Sequence, residues 1–192
     1  MNYYDENGQE FFDGTVNTDM TPHYDEFLRF IPKGGHILDA GCGSGRDSKN
    51  FKELGFKVTA IDGSLKMCEL ASEFSDVKIR HMQFQEIDFT EEFDGIWASA
   101  SLLHVPTSEI DLVLEKLKTA LKEDGTLYAS FKLGDFEGKR NGRYFNDFTE
   151  SAARDLFEKN GFKIIKTWLT NDARPGRHDE KWVNILVKIN NP

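Results

Sequence analysis

No apolar run in these 192 residues approaches the about 20 that a membrane-spanning helix requires; the longest, such as "ILVKI" near the end, are far shorter. Cysteine is scarce. Cys42 and Cys68 are the only two, and with no Cys-x-x-Cys pair they argue against a thiolate metal site or a disulfide framework and predict reduced thiols. Positive charge is also short: 24 Lys and Arg against 33 Asp and Glu give a net charge of −9. Such a chain is a poor binder of polyanions, which need clustered cations, so nucleic acid is an unfavoured partner and a membrane surface no better. The start, "MNYYDENGQEFF", has no basic n-region, so the expectation is a cytoplasmic protein without a signal peptide.

The charge is uneven. Residues 130–181 hold 11 Lys and Arg against 9 Asp and Glu, so the excess of acid lies elsewhere. An anionic ligand is therefore to be sought in the later segment.

Strand and helix alternate along most of the chain. "HILDA" (36–40), "KVTAID" (57–62), "VKIRHM" (77–82), "FDGIWASA" (93–100) and "EDGTLYASFK" (123–132) read as strands. Between them lie helical stretches: one stopped at Gly55, one capped by Ser64, and one running from Pro106 to about Leu121. A further helix, 149–161, has Thr149 as cap and Gly161 as stop; two antiparallel strands, 162–170 and 181–189, close the chain. Ahead of His36 the pattern gives a helix near Met20–Phe30 and a more irregular start rich in Tyr and Phe. This alternation predicts a doubly wound α/β sheet with helices on both faces.

In such a sheet, ligands bind outside the carboxyl ends of the strands. There stands "HILDAGCGSGRDSKNF" (36–51), where a strand runs into Gly41, Gly43 and Gly45. The pattern G-x-G-x-G is neither the dinucleotide fingerprint nor a P-loop, and Arg46 is its sole nearby cation. Two carboxylates sharpen the reading. Asp62 ends the second strand, where an acid accepts both ribose hydroxyls of a nucleoside; Asp39 ends the first, where it either holds a cationic amine or fixes the glycine turn. A ligand with an adenosine, an ammonium and no phosphate suits this site, namely S-adenosylmethionine.

The segments "ILDAGCGSG" (37–45), "VTAID" (58–62), "FDGIWASASLLHV" (93–105) and "LKEDGTLYASF" (121–131) resemble the class I S-adenosylmethionine-dependent methyltransferases. The resemblance implies a Rossmann-like seven-stranded sheet of order 3-2-1-4-5-7-6 with strand 7 antiparallel. It also implies one domain over 1–192: residues 1–35 as an N-terminal lid and helices, 36–132 as the cofactor-binding half, and 133–192 as the substrate-side half. Carried over by position, Gly41, Cys42, Gly43 and Gly45 surround the methionyl part, with Asp39 holding the loop and the amino group. Asp62 takes the ribose, and Gly63 and Ser64 flank the adenosine. Where the family often has an Asp for the adenine amine, this chain has Gln83 and Phe84. Ala98 and Ser99 lie against the methionyl end, and Arg46 either reaches the cofactor carboxylate or stays exposed. "GCGSGRD", "IWASASLLHV" and "YASFKLG" further resemble small bacterial methyltransferases labelled tellurite-resistance-like.

The acceptor side is read from residue chemistry. His104, in "SLLHVP", has an ordinary pKa near neutrality and is the candidate base, or else a loop-orienting histidine. Tyr4 belongs to an N-terminal segment that either folds over the acceptor as a lid or tethers to the core; Trp97 is placed at the acceptor pocket. Lys132, Arg143, Arg174 and Arg177, with Tyr144, form either a converging anion site or solvated loop charges offset by Asp172, Asp179 and Glu180. The Arg174–Arg177 turn reaches the ligand edge or points away, depending on which end of its hairpin holds it. The leading expectation is methyl transfer to a small, anionic acceptor by a monomer or homodimer without metal, with S-adenosylhomocysteine as product. The alternatives are a tRNA or other nucleic-acid methyltransferase, which the "ASAS" at 98–101 disfavours for amino methylation, and a non-catalytic S-adenosylmethionine-binding protein. Thiol or metalloid methylation, which needs no base, also stays open.

Overall fold

A computed structural model describes residues 3–190. Its main sheet has seven strands: β1 (His36–Ala40), β2 (Lys57–Asp62), β3 (Ile79–His81), β4 (Phe93–Ala98), β5 (Leu121–Lys132), β8 (Phe162–Asn171) and β9 (Lys181–Ile189). Their order is β3-β2-β1-β4-β5-β9-β8. The first five are parallel, and β9 runs antiparallel to both β5 and β8, the order and orientation expected from the sequence. Helices α3 (Arg46–Glu53), α4 (Leu65–Ser75), α5 (Thr107–Ala120) and α6 (Glu150–Lys159) connect them.

Strand alternation sorts the side chains into two layers. On β4, Ile96 and Ala98 enter one core with Leu127, Ala129 and Phe131 of β5, while Trp97 and Tyr128 enter the other with Phe27 and Phe51. Each fully buried large apolar side chain contributes roughly 1.5–3 kcal/mol, and the largest of them, such as Phe27, Phe51, Phe93, Phe131 and Phe157, lie at under 2% exposure between the sheet and its helices. The helix ends follow the sequence signals. The Ser64 hydroxyl accepts from Met67 N at 3.2 Å and the Thr149 hydroxyl from Ala152 N at 3.2 Å. Gly55 and Gly161 turn left-handed, at φ 88° and 80°, where the helices stop.

Two regions differ from the expectation. The irregular start is a helix, α1 (Tyr3–Thr15), followed by α2 (Thr21–Leu28). Within α1, Asn7 leaves helical geometry at φ −116°, ψ 18°. Its inner face is Tyr4, Gly8, Phe11 and Thr15, at spacings of four, three and four. Gly8 is buried, and a Cβ there would meet Lys66 Cγ at 2.7 Å. The stretch after β5, to which the sequence pattern assigns no element, is a hairpin of β6 (Glu137–Arg140) and β7 (Arg143–Asn146). Its turn is Asn141-Gly142, both at positive φ, the pair that a tight hairpin turn demands.

β9 starts beside the end of β5, with Lys132 facing Trp182. The β8–β9 turn therefore lies on the ligand edge of the sheet, which resolves the alternative left open by sequence.

Candidate active site

The glycine turn is built by backbone geometry. Gly41, Gly43 and Gly45 all have positive φ, at 80°, 53° and 76°. Gly41 and Gly45 also have no room for a side chain: a Cβ at Gly41 would sit 2.6 Å from Ser101 Cβ, and one at Gly45 2.9 Å from the Ala71 backbone. Gly41 and Cys42 donate their N–H groups to the Ile61 carbonyl at 2.9 and 3.0 Å, tying the turn to β2.

Asp62 stands at the end of β2. One carboxylate oxygen accepts from Gly43 N and the other from Ser64 N, both at 2.9 Å. Burial raises its pKa, and these two bonds pull it back. A carboxylate has about four lone-pair sites, so two remain for hydroxyl groups. Gln83 stacks its amide on Gly63, donating Nε2–H to the Gly63 carbonyl at 3.0 Å. Gln83, Phe84, Gly63 and Ser99 line a cavity of about 470 Å³ together with Gly41, Cys42, Gly43 and Ser44, while Gly45 and Ser64, also expected at the cofactor, lie off its wall. That volume lies in the range of small-ligand sites, about 300–1,000 Å³.

α1 roofs this cavity. Asp5 and Ser64 Oγ meet at 2.6 Å, and a Cβ at Gly43 would touch Phe11 at 3.3 Å. Tyr4 hydroxyl meets His104 Nε2 at 2.8 Å, while His104 Nδ1 meets the Tyr144 carbonyl at 2.6 Å. A carbonyl only accepts, so Nδ1 carries the proton and Nε2 is the acceptor. Burial drives His104 down to about 4, the Tyr144 carbonyl opposes this, and the Arg143 charge adds to it. The imidazole is neutral at physiological pH.

Arg143 lies 4.9 Å over the Tyr3 ring and 5.1 Å over Phe145. Its Nε–H is buried and finds no acceptor among the described residues. His23 Nδ1, on α2, is likewise buried without a partner there and also lines the cavity. Sequence reasoning passed over His23.

Other expected residues sit differently. Asp39 is 2% exposed and does not line the cavity; it accepts from Ser48 Oγ at 2.6 Å, so it anchors α3 behind the turn rather than reaching an amine. Burial and then Asp47 push its pKa up. Asp47, also overlooked, is the centre of the buried network. It accepts from Tyr24 at 2.5 Å, Trp97 Nε1 at 2.8 Å, and Arg46 at 2.6 and 3.0 Å. Burial pushes Asp47 up, but Arg46, Tyr24 and Trp97 together hold it low. Arg46 is thus neither exposed nor fully available: its fork grips Asp47, and Nη1 donates to the Thr15 carbonyl at 3.2 Å. Trp97 is not an acceptor-pocket residue. It is fully buried and stacks on Tyr128 at 4.1 Å, because its strand parity turns it to the α2 and α3 layer. Ala98 is also fully buried and off the cavity wall; Ser99 and Ala100 take that place.

The four cations do gather on the cavity, yet three of them share two carboxylates, Glu180 and Asp172. Lys132 pairs with Glu180, Arg177 with Glu180 at 3.5 Å, and Arg174 with Asp172 at 2.5 Å. Arg143 alone among the four has no carboxylate partner in the described residues. The Tyr144 hydroxyl turns to Glu137 at 2.6 Å, so that residue serves the site through its carbonyl. Among the described residues no cluster of metal-ligating side chains forms, and no helix is long and apolar enough to cross a membrane.

The model of the family described as "Methyltransferase domain" matches residues 37–125. An uncharacterized methyltransferase of Staphylococcus carnosus is 28% identical over 124 residues, covering 60% of this chain and 60% of that protein's own length. Among solved structures, the chain resembles the 1,6-didemethyltoxoflavin-N1-methyltransferase of Burkholderia thailandensis, crystallised with 1,6-didemethyltoxoflavin and S-adenosylhomocysteine. The TM-score is 0.79 at 22% identity, over 98% of this chain and 84% of that one. A TehB-like S-adenosylmethionine-dependent methyltransferase of Corynebacterium glutamicum matches with a TM-score of 0.73 at 17% identity, over 97% of this chain and 98% of that one.

Proposed function

We propose that this chain, a member of the class I S-adenosylmethionine-dependent methyltransferase family with its methyltransferase domain at residues 37–125, methylates a small acceptor bearing an anionic group. One observation carries the reading. A single cavity runs from the glycine turn and Asp62 to Tyr4, His104 and Arg143, under the cover of α1.

The residues present fit the cofactor. Gly41 and Gly43, both at positive φ on the cavity wall, leave a cradle without side chains, and Asp62 keeps acceptor capacity for ribose hydroxyls. Gln83 and Phe84 line the same cavity and offer an amide and an apolar ring to an adenine. When bound, S-adenosylmethionine supplies an electrophilic methyl group on a sulfonium. The chain's own work is to bind, orient and exclude water. α1 excludes water by closing over the cavity. The unpaired Nε–H of Arg143 supports an oxyanion on the acceptor, since a buried guanidinium donor without an acceptor is unfavourable. The aromatic walls around it, Tyr3 and Phe145, favour a planar acceptor. The Burkholderia structure, a 1,6-didemethyltoxoflavin-N1-methyltransferase with bound 1,6-didemethyltoxoflavin, supports a small-molecule acceptor.

The test is methylation with trideuteromethyl-labelled S-adenosylmethionine across hydroxybenzoates, heteroaromatic acids and their neutral amides, read by mass spectrometry. The expected result is label in an acid and at least tenfold less in its amide, on the order of the 1.4 kcal/mol that one charge-assisted bond supplies. Equal labelling of acid and amide contradicts the anionic class, and no labelling of any acceptor contradicts the enzyme reading.

A further inference from the structure

His104 has no nitrogen left for an acceptor when α1 is closed. Nδ1 is held by the Tyr144 carbonyl and Nε2 by the Tyr4 hydroxyl. Since Nδ1 must be the donor, the lone pair of Nε2 faces Tyr4, and the Tyr4 hydroxyl donates to it. The Tyr4 oxygen in turn takes hydrogen bonding and charge from Arg143. The chain of donors runs in one direction, from Arg143 through Tyr4 and His104 to the Tyr144 carbonyl.

We propose that Tyr4, carried on the lid helix, is the group that takes the acceptor's proton, and that it does so by passing its own proton to His104. The proposal rests on the methyltransferase reading above. The X–H bond of the acceptor breaks and its proton goes to the Tyr4 oxygen. The proton of Tyr4 goes to Nε2 of His104. The electron pair on X forms the new bond to the methyl carbon, and the carbon–sulfur bond breaks with its pair left on sulfur. Tyr4 ends as a neutral phenol and His104 as an imidazolium, which loses its proton to water once α1 lifts.

Two features of the fold follow from this arrangement. The base is complete only when the lid is closed, because Tyr4 lies 100 residues from His104 and on a different element. The break at Asn7 falls just after the turn carrying Tyr4, and Asp5 latches that turn to Ser64. The second feature is coupling to charge. Arg143 opposes protonation of His104, so an anion on the free Nε–H of Arg143 relieves that opposition and strengthens the relay when the acceptor is seated. The other ionisable groups acting on Tyr4 are Asp62 of β2, Tyr3 of α1 and Arg174 of the β8–β9 turn.

The test is nitrogen-15 NMR of the histidine side chains in the full chain, free and with S-adenosylhomocysteine, using benzoate as the anion probe. The expected His104 tautomer is neutral with the proton on Nδ1. Tyr4→Phe should move the Nε2 resonance downfield, to that of a lone pair without a donor, while S-adenosylhomocysteine affinity stays within about threefold. Benzoate should raise the His104 titration midpoint by about one unit in the wild type and leave it unmoved in Arg143→Gln. A proton on Nε2, or an Nε2 resonance indifferent to Tyr4→Phe, overturns the relay. A midpoint that benzoate does not move overturns the coupling to Arg143. Failure to bind S-adenosylhomocysteine counts against the methyltransferase reading instead, and the free protein still reports on the relay.

Discussion

The hydroxyl of Tyr4 and Nε2 of His104 lie 2.8 Å apart, joining α1 to the turn after β4 at the wall of the cavity. That contact couples the position of α1 to the hydrogen bonding of the histidine.

His104 should set the acid limb of the pH profile. Its pKa is held down to about 4, chiefly by burial, against an ordinary 6.5. The neutral, proton-accepting form therefore persists well below pH 6. Methyl-transfer kcat/KM should fall only as pH approaches about 4–5. The stability sign is consistent: the unfolded chain binds this proton first, so stability is lost as pH falls from 6.5 toward the folded value. A limb near 6.5 would contradict the buried, doubly bonded histidine.

Asp39 and Asp47 should respond in opposite ways to the same change. Asp47→Asn leaves Arg46 without its counter-ion and should destabilise the fold by about 3–5 kcal/mol. Asp39→Asn should cost little, because burial already disfavours its charge and the amide oxygen can keep the Ser48 bond. With its folded pKa raised, Asp39 makes the wild type lose stability as pH rises through and above the carboxylate range. Asp39→Asn should therefore gain on the wild type between pH 5 and pH 8 in urea unfolding. Curves that run parallel over that range would refute the assignment.

These two residues also mark where the sequence was readable and where it was not. The glycine turn, Asp62, the caps at Ser64 and Thr149 and the sheet order were legible because their signals are local or ordered along the chain. Asp47 was not, because nothing in "GRDSKNF" tells that Tyr24 and Trp97 converge on it from two other elements. Trp97 was misplaced because the periodicity of β4 does not say which face meets the cofactor. The β6–β7 hairpin was within reach, since Asn141-Gly142 is a strong turn signal between two short strands. α1 was hidden for a physical reason. Its inner face is interrupted by Gly8, and its stability comes from docking on α4 rather than from its own pattern. The four cations and two of their offsetting carboxylates, Asp172 and Glu180, were legible; that Glu180 also reaches Lys132, 48 residues away, and that Arg143 is left without a carboxylate among the described residues were not, because those relations are set by the fold.

Charge removal should separate those cations. Arg143→Gln should weaken benzoate binding at least tenfold, about 1.4 kcal/mol. Arg177→Gln should change it less than threefold, because Arg177 is already paired with Glu180 and exposed pairs contribute about 0–1 kcal/mol. Calorimetric titration distinguishes the two. Equal losses would restore a shared anion site.

Alanine at Gly45 should harm the fold more than the ligand. Its positive φ and the Ala71 backbone at 2.9 Å leave the new methyl no flexible neighbour to push aside. Gly45→Ala should lower stability by at least about 1–2 kcal/mol from the left-handed backbone alone. Gly41→Ala adds a clash with Ser101 and Phe84 on the cavity wall, so it should lose S-adenosylhomocysteine affinity as well. Thermal unfolding with and without S-adenosylhomocysteine checks both, and an unchanged ligand-induced shift in Gly41→Ala would count against that placement.

The most direct measurement is a calorimetric titration of S-adenosylhomocysteine into the wild type and Asp62→Ala. The account predicts one site in the wild type and an affinity at least tenfold lower in the variant, since a carboxylate bond to a hydroxyl supplies about 1.5–3 kcal/mol. No binding by the wild type, or equal binding by the two proteins, would contradict a cofactor seated on the glycine turn and Asp62.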